Sequence, residues 1–492
     1  MSKRLKTICS FAFGLALVLL SLDSAPAQTV EAKIKISGFD ALVEGKYLDA
    51  GERPNAANFS FLKSYANVEN LAARVSEVKL FDVNGQRVDY KKLDEGEFLA
   101  GGAFQSWNYK TNLSAPPNPS AMAHVSWLSN ELGILMLGDL LPEFPEKTSG
   151  KIEFELPASW QIASVEKRAV GNAFDVADLE KAVFYVGRNW RAREIAAGSA
   201  KLNLIVSGDW QVSDDEAAAS AREIFAFYET AFGGKSFARP LVFLGKFPPD
   251  VKPGRWEAET RGFSATIFSS EMNFKTQSLQ RLHEQLRHEI FHFWLPNGVN
   301  LAGNYDWFYE GFALYASLKL AVATNRIRFE DFLDTLARAH SVDTLQSRRA
   351  SLIDASKNRW NGANTQVYAR GMLVAFLVDI ALLHKSKGKT SLRDALRESY
   401  QKHGPAAPRA DGNAAILSVL RSRAELRPVV EKYVEGAQDI AWQTDLAAIG
   451  IESATENFMT KLKVKTGLSG RQKDLLDELG YNNWRKNSES SK

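Results

Sequence analysis

The 492-residue chain has a single cysteine, Cys9, so a disulfide framework cannot carry its fold. A chain of this length does not need one, because it can bury large apolar cores. An excess of one charge is also missing. Lys and Arg total 61 against 58 Asp and Glu, a formal net charge of +3, and no long basic stripe appears. A nucleic-acid partner is therefore not expected. Beyond the first residues no segment reads as long and apolar enough to span a bilayer, which takes about 20 residues. Internal repeats and marked low-complexity segments are lacking as well. What remains is 45% hydrophobic and 24% charged residues, the composition of a folded, soluble, multidomain protein.

The beginning of the chain carries a signal-peptide pattern. Lys3, Arg4 and Lys6 precede an apolar run from Ile8 to Leu22, and Ala25-Pro26-Ala27 forms an A-x-A cleavage site. The alternative is a membrane anchor, for which the run is short. Cleavage would remove residues 1–27 together with Cys9 and leave a mature chain without a thiol, with no membrane attachment. A bacterial periplasm or the medium is the expected address.

From Gln28 to Ser207 the sequence is β-rich. Val30, Ala32, Ile34 and Ile36 alternate with polar residues, the period of a half-buried strand. Val78, Leu80 and Val83 lead into Asn84-Gly85 and then Val88 and Tyr90, a hairpin signal. Ile152, Phe154 and Leu156 alternate again, as do Leu202, Leu204 and Val206. These runs predict a β-sandwich-like domain over 28–207. The character changes at Ser213, where Ser213-Asp214-Asp215-Glu216 fits a capping box ahead of an Ala-rich helix ending at Gly233-Gly234. Strands are expected at Leu241–Leu244 and Gly262–Phe268, and mostly helix from Gln277 onward. Leu373–Leu383 reads as a strongly apolar helix; Ser391–Tyr400 and Ala414–Tyr433 read as amphipathic ones. The boundaries expected are a second domain over 208–385, a C-terminal helical region over 386–454 and a polar tail over 455–492. The class is α+β, multidomain.

One segment carries chemistry. His288-Glu289-Ile290-Phe291-His292 is an H-E-x-x-H motif. Leu279, Leu282, Leu286, Ile290 and Phe293 recur around it at helical spacing. Residues four apart share one helix face, so His288 and His292 can place two imidazoles on one metal ion. Glu289 then stands beside that face, where a base is wanted for a water on zinc. Downstream, Glu310 sits in the apolar stretch Trp307–Ala313. A carboxylate in such company is costly unless it is paired or bound to metal, which makes Glu310 the candidate third ligand. A helix cap or a satisfied core glutamate is the structural alternative.

His288–Asn297 resembles the H-E-x-x-H-x-W-x-x-N segment of the gluzincin aminopeptidases. Trp307–Tyr315 is similar to their W-x-x-E-G-F-A-x-Y helix, and Val367–Val374 to their Y-x-K-G-x-L-V segment. Asp379–Leu396 is most similar to the glycyl aminopeptidase branch; the alanyl aminopeptidase family is related. The resemblance implies a thermolysin-like zinc peptidase domain behind the β domain and a peptide or protein substrate. It also implies Zn2+ on His288, His292 and Glu310, Glu289 as general base, and Tyr368 as a hydrogen-bond donor to the oxyanion.

Two departures stand out. The family's edge strand carries a Gly-x-x-Glu motif whose glutamate grips the substrate's α-amine. The matching stretch is Arg261-Gly262-Phe263-Ser264-Ala265, with Gly262 and Ser264 as the candidate substrate contacts and Ser264 in the glutamate's place. Glu257, Glu259 and Glu271 are nearby acids out of that register. Leu314 occupies the turn where relatives often carry a carboxylate that orients a ligand histidine. The tail after Thr455 is too short for the PDZ domain that the glycyl branch often carries. His124, His283, His340, His384 and His403 have no ligand-like partners and read as solvated or structural. The expected activity is an exported, aminopeptidase-like zinc metallopeptidase. An endopeptidase without free-amine selection and a non-catalytic peptide-binding protein on the same fold are the alternatives.

Overall fold

In the strand Val30–Ser37 the apolar residues of the alternating pattern are buried and the polar ones face out. The computed structural model describes residues 29–48, 58–234, 237–346 and 349–483; the signal-peptide pattern and Cys9 lie outside them. Val30–Ser37 pairs antiparallel with Asp40–Tyr47 and parallel with Gly150–Glu155 in an eight-stranded sheet. A four-stranded sheet, including Leu132–Met136 and Val183–Gly187, covers it. Phe184 and Val186 enter the core shared with Ile34, Trp107 and Phe154. Tyr185 points the other way, with Ile134 and Met136, onto Ile205, Phe243 and Phe268 of the next domain. Tyr185 stacks on Phe243 at 4.6 Å, and its hydroxyl is 2.7 Å from Thr266 Oγ1. A strand buried on both faces reads as the continuous apolar run seen at Val183–Val186. The β domain is thus sandwich-like, and one of its sheets seats the domain that follows.

The sheet of the second domain takes in strands that lie ahead of residue 208. Trp190–Ala197 and Ala200–Ser207 form a hairpin, and the latter strand pairs in parallel with Leu241–Lys246. Both belong to the five-stranded sheet that runs on through Ser264–Ser269 to the edge strand Trp256–Arg261. The edge strand has no apolar alternation to announce it, because its sequence, Trp-Glu-Ala-Glu-Thr-Arg, is half charged. Gly262 and Phe263 make the two-residue turn into the next strand, and Gly262 takes φ +53°, a left-handed conformation suited to glycine.

The helices follow their signals. Asp214–Phe232 starts on the Ser213/Glu216 capping box and ends at Gly233 with φ +82°. Lys275–Phe291 buries Leu282, Leu286, Ile290 and Phe291, with His292 as its C-cap. Asp306–Ala323 and Asn364–Ser386 are packed against each other in the same apolar core. The latter corrects one expectation. At 23 residues it is long and apolar enough to cross a membrane, but 78% of its most apolar window is buried inside the protein, as befits a core helix.

The two helices cross at a pair of glycines. A Cβ on Gly371 would lie 2.7 Å from the Trp307 carbonyl oxygen and 2.9 Å from Gly311 Cα, and one on Gly311 would lie 2.4 Å from Gly371 Cα. Backbone meets backbone there.

The C-terminal helical region packs into this same core. Helix Gly412–Arg421 stops well before Tyr433, and a π-helical turn, Val430–Glu435, follows after Pro428. A hairpin, Ile451–Glu456 with Met459–Val464, and a helix, Gly470–Leu479, lie in and just before the stretch read as a polar tail. Thr460 fastens it, through its N–H to Ser341 Oγ at 2.8 Å and its hydroxyl to His340 at 2.8 Å.

Gly371→Ala tests the crossing. Helix propensity alone would favour alanine by about 0.5–1 kcal/mol. Overpacking against backbone costs about 1–3 kcal/mol, so the net expectation is destabilisation, measured by denaturant unfolding. A variant as stable as the parent would show that the crossing tolerates separation.

Candidate metal centre

His288 and His292 lie in and just beyond the last turn of Lys275–Phe291, and Glu310 in the second turn of Asp306–Ala323. All three are buried. His288 Nε2 is 3.2 Å from His292 Nε2 and 3.2 Å from Glu310 Oε2, and His292 Nε2 is 3.5 Å from Glu310 Oε2. Tetrahedral coordination with bonds of about 2.0–2.1 Å separates its ligands by about 3.3–3.4 Å. The three atoms therefore already stand as one face of such a tetrahedron, and the donor set fits a divalent metal ion. No other group of three or more such side chains converges this way among the described residues. His292 Nδ1 donates to the Leu295 carbonyl at 2.8 Å, which fixes the tautomer that turns Nε2 inward.

The electrostatics agree. Burial alone would push Glu310 up, but Arg359, His292 and His288 outweigh it and hold the carboxyl well below the usual range. Burial alone would lower His292, yet Glu310 and Glu289 outweigh it and take the imidazole to about 9. The place attracts positive charge.

Glu289 is buried beside the ligands and accepts a hydrogen bond from Thr260 Oγ1 at 2.6 Å. Burial raises its pKa, opposed by His288, His292 and Thr260. Thr260 belongs to the edge strand, and Asn297 Nδ2 ties that strand to the helix end by donating to the Thr260 and His292 carbonyls, each at 3.2 Å. Tyr368, on the first turns of Asn364–Ser386, has its ring 6.3 Å from that of His288. Burial first, then Glu310, pushes its hydroxyl well above the usual phenol value. Glu289, Tyr368 and the three ligands all face one cleft of about 1220 Å³ between the β domain and the helices.

Two expected contacts are not there. Gly262 is in the turn beyond the edge strand, and Ser264 is fully buried on the inner strand; neither lines the cleft. On the preceding strand, Glu257 and Glu259 do line it. Glu271 is elsewhere, paired to Lys246 at 2.7 Å. Leu314 lines the cleft and supplies no orienting carboxylate.

Three other groups at the cleft carry no signal in the sequence. Tyr65 and His124 reach across from the β domain: Tyr65 donates to Glu259 at 2.6 Å, and His124 Nδ1 is 2.7 Å from Glu259 and its Nε2 3.9 Å from Glu257. His124 was expected to be solvated or structural; it is structural, ion-paired in the cleft wall. Arg359 is the third, 3.0 Å from both Asp306 and Glu310. Lone residues on loops have no periodicity to expose them. His283, bound to Glu223 and Arg287, and His340, stacked on Trp442 at 4.2 Å, are structural as expected.

Comparison with solved structures places the fold. The chain matches an aminopeptidase N family protein from Idiomarina loihiensis with a TM-score of 0.73 at 14% identity, over 87% of this chain and 79% of that one. It matches an M1 zinc metallopeptidase from Deinococcus radiodurans with a TM-score of 0.53 at 17% identity, over 84% and 94% of the two chains. A mutant of the latter, bound to a Tyr-Ser-Ala substrate, gives 0.55 at the same identity and coverage. No protein-family model and no curated protein matches the sequence. The architecture is that of the gluzincin aminopeptidases, a β domain ahead of a thermolysin-like domain and a helical region.

The His124 contacts carry a pH dependence. Burial works against the imidazolium, but the Glu257 and Glu259 carboxylates outweigh it and raise the group from 6.5 to about 9. A raised folded-state value stabilises fully below the unfolded pKa and is lost as pH climbs through the folded one. The stability gap between the native protein and His124→Gln should therefore be widest below about pH 6.5 and close through about pH 9. Thermal melts across that range check it; a gap independent of pH would mean that the imidazole is not charged.

Proposed function

We propose that the protein is a zinc metallopeptidase that hydrolyses peptide bonds, with His288, His292 and Glu310 as metal ligands. The observation that carries this reading is the convergence of those three buried donors beside Glu289 in an open cleft. The fold likeness to zinc metallopeptidases supports it. Zinc, when bound, would acidify water and polarise the scissile carbonyl. Glu289 removes a proton from the attacking water as its oxygen bonds to the carbonyl carbon. Tyr368 donates to the oxygen that gains negative charge. Glu289 then passes its proton to the departing amine as the C–N bond breaks, so that one water is consumed for each bond cleaved. Export to a periplasm or the medium belongs to the same proposal and rests on Lys3, Arg4, Lys6 and the apolar run after them.

Glu289→Gln tests the base. The amide keeps the shape but cannot take the proton, so zinc stoichiometry and fold should persist while turnover falls by roughly 10²–10⁴-fold or more. Near-native turnover would sink the mechanism. Absence of cleavage by the parent protein over a peptide library would favour a non-catalytic peptide binder.

The overall architecture is aminopeptidase-like, but one observation favours a second reading. An aminopeptidase needs a carboxylate open to the substrate's ammonium group. Glu259 already accepts from Tyr65 and His124 and lies 3.7 Å from Arg261; Glu257 is 3.2 Å from Arg255. Both charges are compensated from within the protein, as suits a peptidase without strong free-amine selection. A charge-assisted contact and a neutral one differ by about 1–2 kcal/mol, roughly tenfold in kcat/KM. Matched peptides with free and acetylated amino termini should therefore be cleaved at comparable rates. A strict demand for the free amine would return Glu257 or Glu259 to the amine and make the enzyme an aminopeptidase.

A further inference from the structure

Arg359 sits in the 3-10 turn Arg359–Asn361, between the short helix Leu352–Lys357 and the helix that bears Tyr368. Its side chain is only 12% exposed, although the group is charged. One terminal nitrogen is 3.0 Å from Asp306 Oδ1 and 3.0 Å from Glu310 Oε1. The other donates to the Tyr368 hydroxyl at 2.6 Å. The guanidinium also lies over the Trp360 ring at 4.5 Å and the Tyr368 ring at 5.2 Å.

The two oxygens of Glu310 are thereby divided. Oε1 is held by Arg359, and Oε2 is the atom 3.2 Å from His288 Nε2 and 3.5 Å from His292 Nε2. A carboxylate with both oxygens free would turn between them; one tied to a planar, permanently charged fork presents the other oxygen in a fixed direction. The Tyr368 hydroxyl is treated in a parallel way. It accepts from Arg359 through a lone pair, which makes the O–H a stronger donor, and in the free site that proton goes to Glu310. The fork thus spans two functional groups that come from different helices.

We propose that Arg359 is a positioning residue that couples the third metal ligand to the oxyanion donor. One arm aims Glu310 Oε2 at the imidazoles, and the other fixes the Tyr368 hydroxyl at the rim of the same cleft. The inference rests on the zinc-peptidase reading, but its metal-binding half can be measured without turnover. It also supplies the orientation that Leu314 cannot give, with the difference that the orienting group acts on the glutamate rather than on a histidine.

The alternative is an ion pair that merely neutralises Asp306 and Glu310. The two roles separate in experiment. Arg359→Gln should weaken zinc binding by roughly 10–100-fold, the usual effect of removing a group that orients a ligand, read by competition with a chromophoric chelator. It should also lower kcat more than it changes KM. Tyr368→Phe should cost clearly less kcat in the Arg359→Gln background than in the native one, because the hydroxyl is no longer aligned. Arg359→Lys keeps the charge but not the fork. It should recover only part of the zinc affinity and little of the Tyr368-dependent rate, whereas a merely neutralising ion pair would recover the zinc affinity in full; it is also the variant to use should Arg359→Gln not fold. Native zinc affinity in Arg359→Gln, or fully additive losses with Tyr368→Phe, would overturn the proposal while leaving the peptidase reading intact. If the native protein proves inactive on peptides, the peptidase reading fails, and the zinc measurement still decides the clamp.

Discussion

Backbone-to-backbone contact between Gly311 and Gly371 is the constraint on which the centre depends. Glu310 precedes the first glycine by one residue, and Tyr368 precedes the second by three. Any side chain at either position would wedge the helices apart, since a Cβ would meet backbone at 2.4 to 2.9 Å. Glycine in a helix interior costs about 0.5–1 kcal/mol. The chain accepts that cost twice, and the gain is a close approach that sets a ligand and a hydroxyl over the same imidazoles. Once the crossing is fixed, the apolar residues around it, among them Trp307, Phe312 and Leu373, exclude water from all sides but the cleft.

Charge around the centre is arranged in closed groups. Glu310 and Asp306 share Arg359; Glu257 and Glu259 are met by His124, Arg255 and Arg261. Further back, fully buried Arg370 meets Asp343 at 2.9 Å and donates to the carbonyls of Tyr433 and Gln438. Buried charges survive only when paired and hydrogen-bonded, and each of these sets joins segments distant in sequence. The Arg370 set fastens the C-terminal turns to the helix that carries Tyr368. The His124 set fastens the β domain to the edge strand. The cleft wall is therefore a product of two domains, and the β domain is part of the site.

Patterns with a period were legible. The alternation at Val30–Ile36, the capping box at Ser213 and the helical recurrence from Leu279 to Phe293 each state a local geometry that tertiary packing then used unchanged. Where a segment's signal depended on its surroundings, the reading failed. The strand Trp256–Arg261 went unseen because an edge strand with a charged face needs no apolar alternation. Missing it put the candidate substrate contacts at Gly262 and Ser264, which do not line the cleft. The hairpin after Gly450 looked like a polar tail because only one side of it meets the core: Thr460 and Leu462 are buried, whereas their neighbours Lys461 and Lys463 are exposed.

The candidate metal donors and the candidate base were legible in the chain alone. His288, Glu289 and His292 are fixed by the 3.6-residue turn of one helix, and Glu310 by the cost of leaving a carboxylate in apolar company. These are local rules that hold before the chain folds. Only the tertiary structure decided which groups surround them. Arg359, Tyr65 and His124 come from loops or from another domain, and nothing in their neighbours' sequence depends on where their side chains end. Their positions follow from how two domains dock and how two helices cross, and contacts of that kind leave no period in the chain.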